Sequence, residues 1–168
     1  SLEFKNVSFG YDKSDLAVIN DISFSIKPSQ SIGIVGSSGS GKSTVINILV
    51  GLLFPSKGKV LVDGHELNSN YLNSWQSKIG LVSQNIFLLD STIKENIAFG
   101  IEKGKVDNVN LNKAIKMAKL EDLISSLPEG INTMVGERGS NLSGGQLQRV
   151  GIARALYTNP DIIVFDEA

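Results

Sequence analysis

Residues 36–43 fit the pattern G-x-x-x-x-G-K-[ST], and they lie between a short apolar run at 31–35 and a second apolar stretch at 42–53. No other feature constrains the fold as much. Strand, glycine loop, helix is the context that makes this pattern a phosphate-binding loop. Gly36, Ser37, Ser38, Gly39, Ser40 and Gly41 let successive N–H groups curl around an anion with little Cβ obstruction. Lys42 supplies a cation for the β- and γ-phosphates. The Ser43 hydroxyl suits Mg²⁺, which prefers oxygen ligands and phosphate. The helix starting there directs its positive end at the same charge. The loop by itself indicates a nucleoside triphosphate and does not separate kinase, GTPase, motor or transporter.

A second string reads Leu142, Ser143, Gly144, Gly145, Gln146. It is a glycine-rich turn opening a helix over about 145–157, with Ser143 as N-cap, and it offers a second place for phosphate. Two phosphate half-sites on one chain suggest a nucleotide clamped between two copies of the domain, related by a two-fold axis.

The rest of the chain supports a layered α/β reading. Residues 2–9 and 18–27 alternate apolar and polar side chains, the period of half-buried strands. Residues 58–63 form another such run, closed by the Asp63-Gly64 turn signal. These predict an antiparallel layer over about 1–30 and 57–66. The runs 31–35, 78–83 and 161–165 predict central parallel strands covered on both faces, and 42–53 a helix apolar on most sides and therefore buried. Short helices are expected at 93–98, 111–120 and 121–127. The fold class is thus α/β: a P-loop NTPase parallel-sheet core (about 31–56, 78–90 and 158–168), an antiparallel β subdomain and a helical subdomain (about 91–157). No linker divides it, so residues 1–168 are expected to form one domain.

Composition bounds the partners. With 16 basic and 17 acidic residues, net charge is −1, so bulk charge gives no pull toward nucleic acid or anionic lipid. There is no cysteine, which excludes disulfides and thiolate metal sites. No apolar run approaches the roughly 20 residues of a membrane span. The chain starts at Ser1 inside a strand-like run and stops at Ala168, so a fragment of a longer polypeptide is expected, incomplete at its C-terminus.

The apolar run 161–165 leads into Asp166 and Glu167. A strand end carrying an acid is the usual magnesium-holding place in this fold class. Asp166 is therefore a metal candidate, and Glu167 a general base for an attacking water.

With residues 141–149 in place after this loop, the chain resembles the ATP-binding cassette (ABC) family over essentially its whole length. The resemblance implies the following roles. Tyr11 stacks on adenine, and Gly36 to Thr44 are the Walker A loop. Gln84 is the glutamine that touches Mg²⁺ and faces a transmembrane domain. Leu142, Ser143, Gly144, Gly145 and Gln146 are the signature, acting in trans on a second nucleotide-binding domain. Asp166 and Glu167 are Walker B and the catalytic base. The cofactors implied are ATP and Mg²⁺. Residues 135–139 and 91–100 look like those of exporters whose membrane domain is fused N-terminally, which places this domain at the cytoplasmic face of a plasma or inner membrane. The implied cargo is a lipid, glycolipid, peptide or drug-like molecule; no nucleic acid is expected. Two further readings are a soluble ABC-type ATPase of DNA repair, chromosome or ribosome work, and a non-catalytic nucleotide-binding fragment. Residues 92–135 show no heptad repeat, which disfavours the coiled-coil insertions of the first. His65, the only histidine, follows a turn and matches no family position.

Overall fold

Alternating side chains at the N-terminus form β1 (Leu2–Phe9) in the computed structural model, which describes residues 1–11 and 17–166. The chain divides into two compact units, Ser1–Gln76 and Ser77–Ala168.

In the first unit β1 pairs antiparallel with β2 (Ile19–Ile26) and, on its other edge, with β3 (Lys57–Val62). Phe4 is buried and stacks on its cross-strand partner Phe24 with ring centroids 4.4 Å apart. Pairs of this kind stabilise a sheet by about 0.2–1 kcal/mol each. The Asp63-Gly64 signal is a two-residue hairpin turn with both residues at positive φ, 47° and 82°, as strand twist favours. It leads into β4 (His65–Glu66), so the sheet order is β2-β1-β3-β4. His65 is exposed on this edge strand.

The helix expected over 42–53 is shorter. α1 (Lys42–Leu49) ends where Gly51 takes φ 75°. There the Gly51 and Leu52 N–H groups donate back to the carbonyls of Ile48 and Asn47, a Schellman closure that leaves Leu52 outside the helix and exposed. Val45, Ile46, Ile48 and Leu49 are buried as expected. A short helix not foreseen from the sequence, α2 (Leu72–Gln76), closes this end of α1. The buried Trp75 donates its indole N–H to Leu49 O at 2.7 Å, and the Gln76 amide donates to Val50 O at 3.3 Å. Both satisfy carbonyls that a helix C-terminus leaves without partners.

The run at 31–35 differs from expectation. It forms no strand, and its side chains are exposed. An apolar pattern can favour an extended backbone, but a strand exists only where a neighbour accepts its ladder, and none of the described residues does so.

In the second unit, β5 (Ile79–Val82) and β6 (Ile162–Phe165) pair in parallel, with Ile79 opposite Ile162 and Val82 opposite Phe165. The helical segment contains α3 (Ile93–Ile97), α4 (Asn108–Met117) and α5 (Glu121–Ser126). α4 starts three residues earlier than its apolar period indicates, because the Asp107 carboxylate accepts from the Val109 and Asn110 N–H groups as N-cap. The long α6 (Gly144–Tyr157) crosses this unit. Leu88, Ile93, Ile97, Leu120, Val135, Val150 and Ala153 are buried in its core. β5 lies close against α6, since a methyl at Gly80 would come within 2.4 Å of Ala155 O. The strands are not covered on both faces as expected: Leu81, Ile163 and Phe165 are 38%, 41% and 51% exposed.

Candidate functional site

In the first unit the phosphate loop precedes α1, and its backbone explains its glycines. Gly41, the N-cap of α1, has φ 90°, and a Cβ there would meet the Ile19 side chain at 2.8 Å. Any other residue would strain the backbone and clash at once. No side chain caps α1, and the start of a helix is a favourable place for an anion. Residues 36–40 and Ser43 are exposed. The Lys42 ammonium donates to the carbonyls of Gly36 (3.0 Å) and Ser37 (2.9 Å), which keeps the cation against the loop it serves.

Tyr11 stands beside this loop. Its ring is 60% exposed, and its edge-to-face packing on Phe9 has a centroid distance of 5.1 Å. Its hydroxyl shares a 3.0 Å hydrogen bond with Oγ1 of the buried Thr44. Thr44 thus acts through its side chain as the anchor of Tyr11. An exposed ring fixed at both its edge and its hydroxyl can serve as a stacking surface.

In the second unit Gln84 and Asp166 come to the same end of adjacent parallel strands. Val82 and Phe165 are register partners, and the Asp166 N–H donates to Val82 O at 3.0 Å. Gln84 is exposed and Asp166 partly so. Ligands of parallel α/β sheets gather at these carboxyl ends. Among the described residues no group of three or more His, Cys, Asp or Glu could hold a metal. At this strand end the second unit offers one carboxylate (Asp166) and one amide (Gln84). Hard oxygen donors with few charges suit Mg²⁺ that takes its other ligands from phosphate and water. Glu167, the expected base, lies outside the described residues.

The signature residues open α6. Ser143 is its N-cap: its hydroxyl accepts from the Gln146 N–H (3.3 Å), and the Gln146 side chain accepts from the Ser143 N–H (2.8 Å). This reciprocal capping box assigns Gln146 to the helix start. Leu142 packs against the core. Ser143, Gly144 and Gly145 are exposed, and a Cβ at either glycine would meet nothing within 4 Å. The backbone at the positive end of α6 is therefore open to an approaching anion. Just before it, residues 136–139 form a tight turn with Gly136 at φ 75° and Arg138 at φ 52°. Arg149 donates to Lys119 O at 3.2 Å.

Sequence reasoning missed Asn96 and Arg154, which are hydrogen-bonded to each other in this unit. The only signal was a polar or charged residue inside an apolar helical stretch.

Comparison with known proteins identifies the family. The family model described as "ABC transporter" matches residues 19–168. The chain is 42% identical over 167 residues to an ATP-dependent lipid A-core flippase of Bordetella avium, covering 99% of this chain and 28% of that protein. It is 44% identical over 169 residues to multidrug resistance protein 1 of Entamoeba histolytica, covering 99% of this chain and 13% of that one. The structure of a bacterial Atm1-family ABC exporter with ATP bound superposes with a TM-score of 0.90 at 40% identity, over 99% of this chain and 28% of that one. The chain thus spans under a third of the length of these relatives.

Proposed function

Because the chain belongs to the ABC transporter family, we propose that it is the ATP-binding and ATP-hydrolysing part of a membrane exporter. The two units are read together as one ATPase domain over residues 1–168. Its parts are an antiparallel layer (about 1–30 and 57–66), a core (about 31–56, 78–90 and 158–168) and a helical part (about 91–157). The domain works as one of a pair, each closing over the other's nucleotide. Its partner is a transmembrane domain fused on its N-terminal side, which places it at the cytoplasmic face of a membrane. The names of the relatives, flippase and multidrug resistance protein, support a lipid-like or drug-like cargo. Among the described residues no helix is long and apolar enough to cross a membrane.

Each residue has a task in this reading. Tyr11 stacks on the adenine. Residues 36–44 donate N–H groups to the phosphates, and Lys42 turns its ammonium from the loop carbonyls to the β- and γ-oxygens. Ser43, Asp166 and Gln84 supply the oxygens that would hold Mg²⁺. When bound, the metal would neutralise charge on the phosphates. Glu167 takes a proton from the attacking water. From the opposite copy, Ser143 and the N–H groups of Gly144 and Gly145 bring donors and a positive helix end to the γ-phosphate, where charge is concentrated.

One observation carries the reading: the start of α6 is capped from within by Ser143 and Gln146 yet open above Gly144 and Gly145. Such an end is built for an anion brought to it. The direct test is ATP turnover by the full-length polypeptide in lipid nanodiscs. Wild type is expected to hydrolyse ATP, and Lys42→Ala to lose nucleotide binding. Tight ATP binding by Lys42→Ala would count against the loop as the phosphate site.

A further inference from the structure

Asn96 is completely buried on α3. Its Nδ2, with two hydrogens to give, lies within hydrogen-bonding distance of Leu89 O (3.0 Å), Thr92 O (3.1 Å) and Ser91 Oγ (3.2 Å). Its Oδ1 accepts from the Leu89 N–H at 2.9 Å. One amide thus sets the path of the chain that leaves Gln84. Arg154 reaches the same place from α6. Its Nε donates to Asn96 O (2.8 Å), one Nη to Asn96 Oδ1 (3.0 Å) and the other to Phe87 O (2.8 Å). Its guanidinium carbon lies 4.9 Å from the centre of the Phe99 ring. Burial pushes the guanidinium below its usual pKa, and it stays charged at any physiological pH. A desolvated cation is costly unless fully bonded. Here three N–H groups are directed at carbonyl and amide oxygens of one segment. Nearer the start of α6 the same segment is held by packing: a methyl at Gly139 would come within 3.0 Å of Leu147 and 3.2 Å of the buried Leu88.

We propose that Arg154 is a positioning residue: with Asn96 it clasps segment 85–99 to α6, so that Gln84 and the signature at Ser143 to Gly145 shift as one rigid piece. The inference rests on the ATPase reading above for its consequence, but the clasp itself is a statement about this unit alone. The hydrogen bonds of Arg154 go to Asn96 and Phe87. It acts by keeping a cis contact to the metal site (Gln84) and a trans contact to phosphate (Ser143) in one register. A planar fork with three directed donors does this, whereas a lysine, with the same charge, cannot reproduce the geometry.

The test uses the full-length polypeptide in nanodiscs, with ATP kinetics and hydrogen exchange read together. Arg154→Lys is expected to keep its ATP KM within about twofold while kcat falls about tenfold or more, since misplacement of about 1 Å is enough for such a loss. Without nucleotide, exchange should rise in 85–91 and stay unchanged in 146–157. A folded Arg154→Lys with wild-type kcat and wild-type exchange in 85–91 overturns the proposal, as does a uniform rise across both segments, which marks general destabilisation. If this variant does not fold, the wild type decides. On adding ATP, protection of 85–91 and 142–149 must appear at one nucleotide midpoint, and two separate midpoints overturn the clasp. A wild type without turnover would sink the ATPase reading, and the nucleotide-free exchange of Arg154→Lys would still judge the clasp.

Discussion

Tyr11 combines two contributions that single substitutions separate. Its ring offers a stacking face, and its hydroxyl is tied to Thr44 on α1. Tyr11→Phe keeps the ring and loses one hydrogen bond within the protein, about 1 kcal/mol of stability, so the ATP KM should rise no more than about twofold with kcat unchanged. Tyr11→Ala also loses stacking, on the order of 1–3 kcal/mol, and should raise KM further. A steady-state titration in the full-length protein checks both, and a wild-type KM for Tyr11→Ala would remove Tyr11 from the nucleotide site. Glu167→Gln keeps shape and hydrogen-bonding size but cannot take a proton. It should lower turnover by about 100-fold or more while nucleotide affinity is retained. Ordinary turnover would show that another group is the base.

Among the elements, α6 makes the sharpest prediction, because its capping and its openness belong to different residues. Ser143→Ala removes the N-cap acceptor and should cost about 1 kcal/mol of stability, seen as a lower thermal midpoint together with lost turnover. Gly144→Val leaves the cap in place and fills the open space above the helix. It should abolish turnover with the thermal midpoint held or raised, since valine is the better helix former. Turnover at the wild-type rate in Gly144→Val would mean that nothing approaches that surface. What could be read from the sequence follows the same logic of local against non-local cause. The phosphate loop, the alternation within each antiparallel strand, the Asp63-Gly64 hairpin and the Ser143 cap are set by residues within a few positions of one another. The end of α1 was also local, yet the conformation of Gly51 outweighed the apolar character of Leu52. The run at 31–35 was not legible as non-strand, because pairing depends on a partner distant in sequence. α2 was missed since its role is to seal another helix's carbonyls through Trp75. Arg154 and Asn96 were missed for a similar reason: these two partners lie 58 residues apart in the chain.

At the scale of the whole molecule, the proposed function is one of completion by a second copy. In the proposed function the loop at 36–44 would hold a nucleotide from one side, and the open start of α6 would offer donors to a nucleotide held by another copy. Each chain would then carry half of two sites, and the ATP state and ADP state would differ in how firmly the halves are joined. That difference is what a fused membrane domain can use. These 168 residues contain no cysteine, so introduced thiols report cleanly once any cysteine elsewhere in the polypeptide is replaced. The most direct measurement mixes two full-length forms, both carrying Glu167→Gln, one with Ser40→Cys and the other with Asn141→Cys, and adds a short bifunctional thiol reagent. Saturating ATP with Mg²⁺ should join the two forms, loop to signature, and ADP should not. Absence of that product at saturating ATP, in forms shown to bind it, would contradict the account.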